Sequence, residues 1–417
     1  MIKRLWHHYD RAIWVRFFGQ IITAVGNFMI TPFITLYLYE KLHIHLMSTM
    51  VIASMSPAVG LVVGLLAGNL TDRFGRKSLM CVSLFGQAFS MLLFGFASTV
   101  WQFAVITILQ GAFNAMYFPA ASAQVTDVVK EEQRSEVFSL LHMGLNVGAA
   151  VGPLVGASFF QSSPLILFLT AAGSAAMAGL LILVYIPETK PRTHTSDLLK
   201  GSAQKDEAAS RVTDPGRGTG LYVLIIWITV LSLPIQLLYA QVRTNLPIHL
   251  SHHFANYVHV FALMQTFNGI SVIVLQMVIA RITRKHQAWA LILFSYVAFA
   301  SVGIGYAFAP SLGVLLAVEF VFTLGEMIGF PQLQHVVSLL APADKRGKYF
   351  SIFGLRWTAG SIVGPLAGGW VMKTLSGSYL FAGIGVVIFV SGLLMVWTLR
   401  TKARPVSHSE ETVHSLS

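Results

Sequence analysis

The sequence is short of charge. Only 11% of its 417 residues are Asp, Glu, Lys or Arg, where a soluble domain carries roughly a quarter. It has one cysteine, Cys81, inside an apolar run, so an intrachain disulfide framework is excluded. It lacks the phosphate-loop pattern G-x-x-x-x-G-K-[ST] and the H-E-x-x-H pattern, and no Ser/His/Asp grouping can be assigned. The usual signatures of an ATP-driven pump or an enzyme are therefore missing. The pairs His7–His8, His43/His45 and His252–His253 lie at predicted helix ends or in loops with no third ligand near them in sequence, so no metal site is expected. The first 12 residues contain no small-residue cleavage site, which makes the first apolar run a retained helix rather than a signal peptide.

What is present is apolar. Hydrophobic residues make up 55% of the chain, and the mean hydropathy is +0.69. Runs of about 20 apolar residues recur, the length that crosses a ~30 Å hydrocarbon core. They fall at 13–39, 47–71, 78–98, 101–123, 136–161, 164–187, 221–245, 257–281, 287–309, 311–335, 348–375 and 379–400. In lipid each segment must satisfy its own backbone, so these runs predict twelve helices and an all-α, multi-pass membrane protein.

The formal charge of +11 raises the question of a nucleic-acid partner. Its distribution argues against one. If the twelve spans alternate, about 23 of the 28 basic residues fall on one side. The other side keeps Lys41, Arg243, Lys373 and little else. That asymmetry places both termini in the cytoplasm of a cell-membrane protein and accounts for the basic balance by topology. Arg16, close to the cytoplasmic edge of the first span, is expected to snorkel.

Residues 188–220 form the one long polar stretch, rich in Pro, Gly, Ser and mixed charge, and read as a cytoplasmic linker. It separates a six-helix bundle at 1–187 from a second at 221–400, with a cytoplasmic tail at 401–417. The halves match at an offset of 212 residues: "RSEVFSLLHMGLNVGAAVGPLVGA" (134–157) lies over "RGKYFSIFGLRWTAGSIVGPLAGG" (346–369). The same shift pairs Phe118-Pro119 with Phe330-Pro331. Duplicated halves of this kind build carriers whose site lies between them near the bilayer midplane.

The motif "GNLTDRFGRKSLM" (68–80) resembles the signature loop between the second and third helices of the major facilitator superfamily. "GLNVGAAVGPLVGA" (144–157) resembles the fifth-helix motif of its drug:proton antiporter branch, and "GEMIGFP" (325–331) the tenth helix of multidrug:proton antiporters. The resemblance covers nearly the whole chain. It implies the major facilitator fold, two pseudo-symmetric six-helix bundles around a central cavity. It also implies alternating access, with a protonatable glutamate facing the cargo. One departure is clear. Many members of that branch carry an Arg three residues before a Gln-Gly pair in the fourth helix; here Gln110-Gly111 is preceded by Thr107.

In the loop motif, Gly68 and Gly75 permit close approach and a tight turn. Asp72 suits the amino-terminal end of another helix, and Arg73, Arg76 and Lys77 suit carboxylates or lipid phosphates. The resemblance implies a cytoplasmic gate, with Asp72 against the start of the eleventh helix; a basic loop that only sets topology is the alternative. Gly148, Gly152, Pro153 and Gly156 share one face of the fifth helix, and Gly360, Gly364, Pro365 and Gly368 repeat this in the eleventh. Symmetry suggests that these faces meet between the halves; ordinary tight packing is the other reading.

Two carboxylates stand inside the tenth span. Glu319 and Glu326 are seven residues apart, so they share a helix face about 10 Å apart. An acid in hydrocarbon is costly and usually faces a cavity or a proton path. Desolvation favours its neutral form, which is what a proton carrier requires. By the offset Glu326 corresponds to Asn114 and Glu319 to Thr107, so the acids belong to the second half alone. Arg356 lies at a similar depth in the next span, roughly 12–14 Å from the inner surface. A permanent Glu326–Arg356 pair that serves assembly is therefore the rival reading.

Other polar residues punctuate the spans. Asn27, Asn114, Asn146, Gln236 and Tyr239 are candidate cavity residues, and His142 a candidate aid to the proton path. Gln265 and Asn268 suit interhelical hydrogen bonds equally well. The expected function is proton-driven export of a lipophilic, cationic, drug-like compound by a monomer. It needs no cofactor beyond the proton gradient, and its partners are the small-molecule substrate, protons and the lipid bilayer. The alternative is a carrier for a sugar, peptide, lipid or other metabolite.

Overall fold

The computed structural model of the chain describes residues 11–189, 215–342 and 346–401. The basic residues at positions 3 and 4, most of the polar linker and the tail lie outside them.

Every described element is helical. The helices are α1 (Arg11–Leu36, continued by a π turn, Tyr37–Lys41), α2 (Leu46–Phe74), α3 (Arg76–Phe96), α4 (Val100–Val128), α5 (Glu131–Ser162) and α6 (Pro164–Tyr185). They continue with α7 (Pro215–Ser251), α8 (Tyr257–Thr283), α9 (Ala288–Phe308), α10 (Leu312–Leu340), α11 (Arg346–Thr374) and α12 (Gly377–Thr401). Local chemistry sets the breaks. Thr99 and Gln102 form a capping box at α4, Ser311 caps α10, and Pro164 opens α6. Gly75 takes φ +94° between α2 and α3, a conformation that favours glycine. Prolines inside helices (Pro57, Pro119, Pro153, Pro331, Pro365) do not end them, because neighbouring helices shield the freed backbone groups.

Eleven of the helices are long and apolar enough to cross a membrane by composition. The exception is α11, which is diluted by glycines and by Lys348, Arg356 and Lys373. Outward-facing side chains are apolar, as at Val184, Val274, Val386 and Trp397, which suits a lipid surface.

Helix contacts repeat between the halves. In the first, α1 packs on α5 and α6, α2 on α4, and α3 on α4 and α6; in the second, α7 packs on α11 and α12, α8 on α10, and α9 on α10 and α12. Adding six to each helix number converts one set into the other.

The glycine faces belong to these intra-bundle seams. A Cβ on Gly148, Gly152 or Gly156 would meet Ala24, Phe28 or the Met29 carbonyl of α1. One on Gly360, Gly364 or Gly368 would meet Gln236, Ala240 or Gln241 of α7. The expected contact between halves is thus corrected. Small residues fuse α5 to α1 and α11 to α7, making each half stiffer.

The halves touch through α5–α8, α2–α11 and α1–α7. These contacts lie toward the far face, opposite the start of α1 and the end of α12. Thr266 donates to the Ala150 carbonyl at 2.7 Å, Gln161 meets His259, Phe33 meets Phe261, and Gly369 lies on Met50. The molecule is therefore sealed at the far face.

Candidate functional site

A cavity of about 720 Å³ lies between the halves, lined from α1, α2, α3, α4, α7 and α11 and reaching Leu38 and Ile52 toward the far face. Its wall is apolar with hydroxyls and amides set into it, including Asn27, Thr31, Gln110, Asn114, Thr358 and Ser361. One residue with a formal charge lines it, Arg243 of α7; no carboxylate does. Buried polar capacity remains at the Thr107 hydroxyl and the Gln110 carbonyl, which bond to no other group.

Arg243 is a correction to the charge map, which assigned it to the outer side. That reading ended the seventh span at 245, but α7 runs on to Ser251 through Pro247. The extra turns move Arg243 inward onto the cavity wall.

The expected cavity residues divide. Asn27 and Asn114 line the cavity. Gln236 is 2% exposed and packs in the α7–α11 seam against Gly360. Asn146 bonds to His142 on its own helix at 3.4 Å. His142 is exposed, and among the described residues its hydrogen bond is to Asn146 rather than to either glutamate. Tyr239 sits behind the wall in an aromatic cluster, its ring 4.8 Å from Phe322, 5.4 Å from Phe330 and 5.8 Å from Trp357.

Glu326 lies next to that cluster, turned inward. The Asn268 amide of α8 donates to its carboxylate at 3.2 Å and to Thr323 at 2.9 Å. The Tyr239 hydroxyl stands beside the carboxyl, and Arg243 is within electrostatic reach of both. Three helices, α7, α8 and α10, thus surround one acid behind the cavity wall.

The other acid faces elsewhere. Glu319 is fully buried and accepts a hydrogen bond from Tyr306 of α9 at 2.6 Å. It belongs to the interior of the second bundle rather than to the cavity wall. Two turns of separation along α10 leave the acids near one line, yet their side chains find partners on different neighbours.

The proposed pairing of Glu326 with Arg356 is not formed. Arg356 is 3% exposed, donates to the Phe353 carbonyl one turn earlier, and lies 3.4 Å from the centroid of the Phe353 ring. Equal depth in the bilayer fixed its height but not its rotation about α11. Arg16 also departs from expectation. It is 4% exposed and, instead of snorkelling, donates to Tyr117 at 2.8 Å and to the Ala121 carbonyl at 3.4 Å.

At the terminal face the loop motif forms an ionic knot within the first half. Arg76 bonds to Asp72 at 3.0 Å and to Asp127 of α4 at 2.9 Å, and Thr189 donates to the same Asp127 at 3.0 Å. Beyond α6, Glu188 accepts the backbone N–H groups of Arg76 (2.8 Å), Lys77 (3.3 Å), Ser78 (3.3 Å) and Thr189 (3.0 Å). It caps α3, whose N-terminus otherwise carries unpaired donors. Desolvation pushes the Glu188 carboxyl up, but the four backbone donors outweigh this and hold it below the usual range. Arg73 lies over the Phe74 ring, and Gly68 has open space around it. Asp72 accepts from Arg76 in this conformation, and the first side chain of α11, where its expected gate contact falls, lies outside the described residues. Asp127 and Glu188 were missed in the sequence. The signal for them was an acid directly after an apolar run, "TDV" and "PET", facing a basic loop.

On the far face a second cavity, of about 1010 Å³, is lined by residues that include Glu40, Lys373 and five histidines. Among the described residues no three His, Cys, Asp or Glu side chains gather as a metal-ligand set.

Two six-helix halves, related by a repeat and closed around a polar-studded cavity, define a multi-pass membrane transporter. The sequence profile of the Major Facilitator Superfamily matches residues 16–243 and again 239–415. The chain belongs to that superfamily. Among its relatives, an uncharacterised transporter of the same type, YhjO of Bacillus subtilis, is 30% identical over 94% of both chains. A Na(+), Li(+), K(+)/H(+) antiporter of Planococcus maritimus is 28% identical, over 93% of this chain and 96% of the relative. The multidrug resistance protein MdtH of Salmonella paratyphi B is 23% identical, over 93% and 94%. In three dimensions the chain resembles a POT family transporter crystallised with 5-aminolevulinic acid, with TM-score 0.78 over 94% and 96% of the two chains at 14% identity. That likeness speaks to the fold.

Proposed function

We propose that this transporter is a proton-coupled secondary active exporter of lipophilic, drug-like compounds, working by alternating access with Glu326 as its proton site. The observation that carries the reading is the placement of Glu326. It is enclosed by α7, α8 and α10, held by Asn268, and without a salt bridge to a basic side chain, yet Arg243 on the cavity wall feels its charge. An acid so placed has its charge state coupled to what occupies the cavity. Two relatives are named as an antiporter and a multidrug resistance protein, and this supports exchange against protons.

The basic asymmetry places the terminal face in the cytoplasm. With the contacts between the halves gathered toward the far face, the cavity is read as open inward, where an exporter loads. The knot of Asp72, Arg76 and Asp127 belongs to this state, and Asp72 is released toward α11 when the terminal face closes. The refinement to a purely cationic cargo loses support, since Glu319 turns to Tyr306 and the charge on the cavity wall is positive.

A second reading has one observation in its favour. Because Arg243 is within electrostatic reach of Glu326, a proton on Glu326 leaves the guanidinium without a counter-charge, and an anionic cargo would then travel with the proton. Proteoliposomes under an imposed pH gradient of either sign separate the two. Exchange requires cargo to move against the proton flux, and cotransport requires cargo to move with it.

A further inference from the structure

The position of Arg243 calls for an explanation of its own. A guanidinium at membrane depth is costly unless something answers its charge. Among the described residues neither a hydrogen bond nor an ion pair holds it. Its side chain is accessible from the cavity, whose wall carries no carboxylate. Among the described residues, the acid whose charge reaches it is Glu326, behind the wall. A planar fork of five donors suits carboxylate, sulfonate or phosphonate oxygens.

Its surroundings complete a half-built anion pocket. The Trp357 ring offers an aromatic platform on α11, and Thr358 and Ser361 add hydroxyls on the same helix. Across the cavity the Thr107 hydroxyl keeps an unused donor. The cationic group of the cavity thus stands on α7, facing an uncharged wall.

We infer that Arg243 is the docking point for an anionic group of the cargo, a carboxylate or sulfonate carried on a lipophilic ring system, with Glu326 as its counter-ion when no cargo is bound. This rests on the reading of the central cavity as the cargo site. The cargo anion and the Glu326 carboxylate draw on the same guanidinium, so a neutral Glu326 strengthens cargo binding. For exchange against protons the same cargo must also carry an ammonium, which takes the place of the proton beside Glu326. The expected substrate of an exchanger is therefore amphoteric.

Two dyes with one skeleton test this. The first, 8-anilinonaphthalene-1-sulfonate, carries the anion; the second, N-phenyl-1-naphthylamine, lacks it. Binding to the purified protein in lipid nanodiscs is followed by energy transfer from tryptophan, with empty nanodiscs as background. Wild type should bind the sulfonate dye about ten- to a hundredfold more tightly than the neutral one. Arg243→Gln should erase that preference while leaving the neutral dye's affinity and the thermal midpoint unchanged, and Arg243→Lys should restore part of it. Glu326→Gln should tighten the sulfonate dye. A wild type that does not discriminate, or a preference that survives in Arg243→Gln, overturns the assignment. Proton coupling is read separately: if Glu326→Gln abolishes proton movement while Arg243→Gln leaves the dye preference intact, the proton site stands and the anion site falls. If the dye preference behaves as stated but no proton movement depends on Glu326, the converse holds.

Discussion

The Tyr257 hydroxyl at the start of α8 donates to the Glu40 carboxylate at the end of α1, and so ties the two halves together at the far face. Tyr39 and His252 meet beside it, with ring centroids 6.5 Å apart. Deeper in, the seal continues through Thr266 and Ala150. The polar tie is at the rim and the close helix contact is inside. Opening the far face must break the first before it can separate the second.

Tyr257→Phe removes the donor and keeps the ring. The variant should favour the conformation open at the far face. Spin labels at His43 and Lys373, exposed positions flanking the outer cavity, should then show a distance distribution extended to longer values. A distribution identical to that of the labelled parent would mean that the Glu40–Tyr257 contact bears no share of the closure.

The glycine seams are predicted to be intolerant. A Cβ on Gly156 would lie 2.4 Å from the Met29 carbonyl oxygen, whereas Gly173 of α6 has nothing within 4 Å. Gly156→Ala should cost about 1–3 kcal/mol, because backbone on α1 must move. Gly173→Ala should be neutral or stabilise by up to about 1 kcal/mol through helix propensity. Thermal unfolding in detergent checks both, and equal effects of the two changes would count against the α1–α5 seam as described.

Glu188 makes a pH prediction. Its folded-state pKa is below the unfolded value of about 4.3. The sign follows: its stabilisation is fully present above the unfolded pKa and is lost as pH falls through the folded one. Glu188→Gln should cost about 1 kcal/mol near neutrality, a cap-sized effect reduced by solvent screening at this exposed site. The gap between wild type and variant should hold from pH 8 to pH 5 and close below about pH 4. Unfolding midpoints measured across that range decide it.

Much of the fold was legible because lipid enforces regularity. Apolar runs give helices directly, and the offset of 212 gives the pseudo-symmetry. The sequence marked Glu326 as an acid in hydrocarbon, and the structure gives it an Asn268 partner on α8. The partners of individual side chains were less legible. Depth along a helix can be counted, but rotation about its axis cannot, so Arg356 was paired with an acid it does not touch. Ending the seventh span at 245, six residues short of where α7 ends, hid Arg243 from the cavity. The glycine faces showed that helices approach closely without showing which helix they approach. Asp127 and Glu188 sit at helix ends, where a carboxylate has many uses and the sequence favours none of them.

The central claim is that Glu326 exchanges its proton with the cargo's occupancy of the cavity. The direct measurement is proton flux in proteoliposomes containing a pH-sensitive dye, driven by addition of a transported compound, for wild type and Glu326→Gln. Wild type should move protons on addition of cargo, and Glu326→Gln should bind cargo but move none. Cargo-driven proton movement at the wild-type rate in Glu326→Gln would contradict the account.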